Sequence, residues 1–90
     1  MKTAETYIRH ALGCIEMIKA YTRNKSWEDF DSDPLLQDAV VRRLEVIGEA
    51  LNQLPSHLHE SNPQIPWREI IGMRNALIHE YFGVNLEWIW

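Results

Sequence analysis

The chain has 90 residues, enough for one domain near the lower size limit for folding without disulfides or metals. Its single cysteine, Cys14, excludes an internal disulfide, and its net charge of −4 argues against broad electrostatic binding to nucleic acid while leaving room for a local basic site. No apolar run approaches the length of a membrane span, and the opening Met1-Lys2-Thr3-Ala4-Glu5 does not lead into the apolar core of a signal peptide, so a cytoplasmic protein with no membrane segment is expected.

In chain order, residues 3–23 read as a helix: Ile8, Leu12, Ile15 and Ile18 recur at spacings of three and four, with Ala11 and Cys14 beside them. Cys14 is expected to be buried and inert. Gly13 weakens such a helix by about 1 kcal/mol relative to alanine and suggests a close crossing. The stretch "NKSWEDFDSD" reads as a polar connection pinned by Trp27 and Phe30. Asp33 then makes an N-cap, with Pro34 at the first helical position, where its missing N–H costs nothing. The helix they open runs to about Leu54 on an inner stripe of Leu36, Val40, Leu44, Ile47 and Leu51, and Pro55 ends it.

"SHLHESNPQIP" reads as a loop or short turn. Its His57 and His59 have metal-ligand character, but no second ligand cluster lies near in sequence, so no metal is expected. The next helix starts around Pro66 and Trp67 and stops at Gly83. Asn85 caps a final short helix, "LEWIW". Its closing Trp88-Ile89-Trp90 points to a shortened last helix or to a protein partner that covers the aromatics. With 46% hydrophobic residues and four tryptophans, the chain has apolar surface to spare for such a partner. The tryptophans read as core or interface anchors rather than base-stacking platforms.

Chemistry concentrates in "MRNALIHEYFG", where Arg74, Asn75, His79, Glu80 and Tyr81 interrupt an apolar helix. At about 100° per residue, Arg74 and Tyr81 lie about 20° apart and Asn75 and His79 about 40°, but Arg74 and His79 about 140°. One regular helix does not aim that pair at one point; a second copy across a two-fold axis brings the patch together twice. Cleaving RNA without a metal needs a base for the 2′-OH, an acid for the leaving 5′ oxygen and a cation for the transition-state charge. Two copies supply two histidines and two arginines. His79 near a helix C-terminus favours the imidazolium form suited to the acid. A packed His-x-Tyr pair and a solvated arginine are the commoner fates of such residues, and spacing alone leaves both open. Arg42, Arg43, Arg68 and Arg74 lie in segments that can meet, and Glu49 is either a cleft residue or a solvated carboxylate.

The pattern Arg-Asn-x-x-x-His-x-Tyr at Arg74 to Tyr81 resembles the R-x-x-x-x-H-x-Y signature of HEPN-domain ribonucleases, in particular the HepT toxins of HepT/MntA toxin–antitoxin pairs. The similarity extends over "RRLEVIGEALNQLP" (Arg42 to Pro55) and "IPWREIIGMRNALIHEYFGVNLEWIW" (Ile65 to Trp90). It implies an all-α, HEPN-type antiparallel helical bundle over residues 1–90 as one domain, with a last helix cut short at Trp90. It further implies a metal-independent endoribonuclease toxin acting as a homodimer with a composite cleft and needing no cofactor. Arg74 and His79 would be the catalytic pair, with Asn75 orienting the site. Tyr81 would accept AMP from an MNT-type nucleotidyltransferase antitoxin, putting charge and bulk where an RNA phosphate must sit. The alternative is a non-catalytic HEPN module that binds a nucleotidyltransferase or a nucleotide.

Overall fold

The computed structural model describes residues 3–79 and 89–90. Among them the order is α1 (Ala4–Thr22), α2 (Trp27–Asp31), α3 (Pro34–Asn52), α4 (Ser56–Ser61) and α5 (Trp67–His79), with no strand. This is the expected all-α, HEPN-type bundle.

The helix starts follow from local chemistry. Thr3 caps α1 by accepting from the Thr6 N–H at 3.2 Å, and Asp33 caps α3 by accepting from the Leu36 N–H at 3.1 Å, with Pro34 at the first helical position as expected. After α1 the chain turns through Asn24 at φ 59°, a left-handed conformation that asparagine tolerates. The stretch read as a polar connection is instead helical at its centre. Ser26 Oγ accepts from the Asp29 N–H at 3.1 Å and the Ser26 N–H donates to Asp29 Oδ2 at 2.9 Å, a reciprocal capping box that starts α2. Gln37 then ties α2 to α3 by donating to the carbonyls of Phe30 at 2.9 Å and Asp31 at 3.1 Å. The loop expected after Pro55 likewise forms the six-residue α4.

Helix α3 is the central element, packed against α1 on one side and α5 on another. Its stripe behaves as read: Leu36, Val40 and Ile47 are buried, and Leu44 and Leu51 pack at the edges of the core. One cluster joins Ala11 and Cys14 of α1 to Ile47 and Ala50; the other gathers Phe30, Leu36 and Val40, with Trp27, Tyr21 and Ile89 packed around them. Phe30 is fully buried and meets the Trp90 ring at 4.9 Å, so it does pin the connection.

Two expectations for α1 are corrected. Its inward face is Tyr7, Ala11, Cys14 and Ile18, whereas Ile8, Leu12 and Ile15 stay exposed. The two stripes are about 100° apart around the helix. Because α1 packs chiefly on α3, only one of them can be covered. Gly13 marks no crossing, since a Cβ there would meet nothing within 4 Å. The close approach is at Gly48 of α3, where a Cβ would run into Cβ and Cγ of Arg74 on α5. The expected stop at Gly83 and the cap at Asn85 lie outside the described residues.

Candidate active site

Side chains at i, i+3, i+4 and i+7 share a helix face. On α3 that spacing aligns Arg42, Glu45, Val46 and Glu49 as the floor of an open cleft of about 490 Å³. Tyr7 and His10 of α1 form one wall and Arg74 and Ile78 of α5 the other, with Arg43 and Ala50 completing the floor. Three of the four arginines expected to converge therefore do so; Arg68 does not line the cleft.

Arg74 is the most constrained of them. The Cβ and Cγ at the base of its side chain rest on Gly48, which lets α3 and α5 approach closely. Its Nη2 donates to Glu49 Oε2 at 2.5 Å, and its Nη1 donates to Asn75 Oδ1 at 2.7 Å. The other Glu49 oxygen accepts from Gln53 Nε2 at 3.2 Å, which orients the carboxylate in turn. The Arg74 side chain is 24% exposed, and its Nε is buried without a partner among the described residues. Nearly half the Glu49 side chain is exposed, so solvent screens the ion pair. Its main effect is to aim a guanidinium, a planar fork suited to phosphate oxygens, at the cleft. Glu49, left between two readings by the sequence, is a cleft residue. Asn75 is exposed beside it. His79 is the last residue of α5, and Tyr81 lies outside the described residues.

A family model described as ribonuclease HepT-like matches residues 11–90. The chain belongs to the HepT-like ribonuclease family. A protein of Caldanaerobacter subterraneus that carries a provisional RNase name is 49% identical over 90 residues, covering 100% of this chain and 80% of that protein. A protein of Thermococcus cleftensis, provisionally named ribonuclease HepT, is 42% identical over 89 residues, covering 99% and 81%. A longer protein of Methanocaldococcus jannaschii, named as a gamma-glutamylcyclotransferase and provisionally as an RNase, is 46% identical over 89 residues, of which this chain spans 40%. No solved structure matches the chain.

Within this HepT-like frame the sequence reading missed Tyr7, His10 and Gly48. Tyr7 and His10 are spaced for one face of α1, but nothing in their spacing says that α5 lies across from them. Gly48 had a signal: it falls on the α3 stripe with Leu44, Ile47 and Leu51, where a glycine costs helix propensity and calls for a packing reason. Of the two histidines in the α4 region, His59 has a structural role. His59 Nε2 donates to the Leu51 carbonyl at 3.0 Å, and its ring stacks on Trp67 at 4.5 Å. Among the described residues no group of three His, Cys, Asp or Glu side chains is placed to hold a metal ion, and no helix is long and apolar enough to cross a membrane.

Proposed function

We propose that this HepT-like chain is a metal-independent endoribonuclease toxin. The observation that carries the reading is Arg74, held by Glu49 and Asn75 with its guanidinium at an open cleft, in a family named for ribonuclease activity. In the proposed reaction the 2′-oxygen attacks phosphorus while the P–O5′ bond breaks. The products are a 2′,3′-cyclic phosphate and a free 5′-OH, and no water is consumed. Arg74 stabilises the charge on the phosphorane-like transition state. His79 moves a proton, protonating the leaving oxygen in one copy and accepting the 2′ proton in the other. Asn75 holds the guanidinium edge.

A second copy of the chain completes the acid–base pair in this reading. The exposed stripe of Ile8, Leu12 and Ile15 supports a protein interface, because contiguous apolar surface of this kind marks interaction sites. Tyr81, two residues beyond His79, is the proposed AMP acceptor for an MNT-type nucleotidyltransferase antitoxin. The added phosphodiester would place negative charge beside Arg74's ligand. One observation favours the alternative of a binding module without turnover: Glu49 already neutralises Arg74.

Incubating the purified protein with single-stranded RNA in EDTA separates the two readings. Cleavage with a 2′,3′-cyclic phosphate end, lost in Arg74→Ala and His79→Ala, is the expected result. Cleavage undiminished in both variants would overturn the site, and binding without cleavage by the unmodified protein would favour the module.

A further inference from the structure

The charges in the cleft are unevenly compensated. Arg74 is paired with Glu49 at 2.5 Å and Arg42 with Glu45 at 3.4 Å. Arg43 has no carboxylate among the described residues; its Nη1 meets only the sulfurs of Cys14 and Met17, each at 3.9 Å. Thiol and thioether sulfurs are weak acceptors, so they leave a half-buried guanidinium with most of its donor capacity unused. Across from it on α1, neither the His10 ring nor the Tyr7 hydroxyl has a hydrogen-bond partner among the described residues, and both residues line the same cleft. A cation left uncompensated in a chain of net charge −4 is a local reversal of sign, and a cleft focuses the field of such a charge.

We propose that Arg43 and His10 form a binding subsite for a backbone phosphate of single-stranded RNA next to the one that is cut. This rests on the ribonuclease reading above for what enters the cleft, though not on turnover. The volume of about 490 Å³ lies within the range of sites that take a ligand of nucleotide size or larger, so Arg74 and its phosphate do not fill it. Along the floor, Arg43 and Glu49 are six residues apart, about 9 Å of helix axis. A span of that order, shortened by the reach of two arginines, matches neighbouring phosphates on one strand. Arginine binds phosphate through two parallel N–H donors, and His10 adds a further ring donor from the opposite wall. Tyr7, one turn before His10, is partly buried against the core and lines the same cleft.

The test is the binding of a fluorescent 2′-O-methyl oligonucleotide, which cannot be cut through its 2′ oxygen, measured by anisotropy over a series of salt concentrations. Each phosphate contact on a single strand contributes about 0.7 to the slope of log K against log salt. Arg43→Gln is expected to lower that slope by about 0.7 and affinity by about tenfold, with Arg43→Lys recovering the slope. His10→Ala, an exposed position on α1, is expected to weaken binding several-fold with an unchanged melting curve; it decides the matter if Arg43→Gln disturbs the packing of α1 on α3. Unchanged affinity and slope in Arg43→Gln and His10→Ala overturn the subsite, even where wild-type protein cuts RNA. A lowered slope in a protein that cuts nothing upholds the subsite and removes the endoribonuclease reading. In cleavage assays the Arg43→Gln loss is expected to be larger on an oligomer than on a dinucleoside substrate with a single phosphate. An equal loss on both places Arg43 at the reacting phosphate and overturns the neighbouring-phosphate assignment.

Discussion

Gly48 of α3 and Arg74 of α5 touch so closely that a methyl group cannot stand between them. The same contact sets the depth of the cleft wall, because it fixes where the Arg74 side chain leaves its helix. Glycine here serves a close approach of two helices and not a turn, since no glycine among the described residues has positive φ.

Gly48→Ala is therefore expected to destabilise the fold despite alanine's better helix propensity. The propensity gain is about 1 kcal/mol. Overpacking against Arg74 costs about 1–3 kcal/mol, and the neighbour here is the rigid stem of a side chain anchored at both ends. Gly13→Ala provides the contrast, because nothing lies within 4 Å of its Cβ position and the gain of about 0.5–1 kcal/mol stands alone. Urea denaturation of both variants should give shifts of opposite sign; two stabilising shifts would remove the crowding argument.

Glu49 acts on the proposed reaction through Arg74. Glu49→Ala frees the guanidinium and leaves Gln53 without its acceptor, so kcat should fall about tenfold to a hundredfold, the scale of an ångström-sized misplacement. Glu49→Gln keeps an acceptor oxygen and removes the charge, so it should recover much of kcat. Single-turnover cleavage by the two variants distinguishes orientation from charge: equal losses would show that the carboxylate's charge matters rather than its placement of Arg74.

Much of this was legible in the chain itself, and for identifiable reasons. The Asp33-Pro34 start, the α3 stripe and the burial of Cys14 and Phe30 follow from local pattern, and local pattern decided them. The inward face of α1 did not follow, because Ile8, Leu12 and Ile15 are as apolar as Tyr7, Ala11, Cys14 and Ile18. Only the position of α3 selects between the two stripes. The α2 helix was legible in principle from Ser26 and Asp29, three residues apart, yet the density of charge around Trp27 disguised it as a connection. At the site, the motif named Arg74, but its partner Glu49 lies 25 residues earlier, and no local pattern links the two.

The α2 capping box has a pH signature. The Ser26 backbone N–H, helped by the Ser26 side chain and by Lys25, holds the Asp29 carboxyl below its ordinary value of 3.8. A carboxyl depressed in the folded state stabilises fully above its unfolded value, and that contribution disappears as pH falls through the folded one. The stability difference between wild type and Asp29→Asn should therefore be constant near neutrality and shrink as pH drops below about 3.8. Urea midpoints at pH 6 and pH 3 check this, and a gap that widens in acid would contradict the sign.

His59 joins the end of α3 to the start of α5. A carbonyl only accepts, so the Leu51 oxygen at 3.0 Å requires the proton on His59 Nε2. The ring then lies against Trp67, whose Nε1 donates to the Asn62 carbonyl at 3.0 Å. His59→Ala removes one hydrogen bond to a helix-end carbonyl and one ring stack, for a combined loss of about 1–3 kcal/mol. His57 is exposed and makes no comparable contact among the described residues, so His57→Ala should leave stability within about 0.5 kcal/mol of wild type. Chemical denaturation of the two variants, followed by tryptophan fluorescence, separates them. A zinc-dependent rise in the wild-type midpoint, lost in both variants, would instead restore a metal role to the pair.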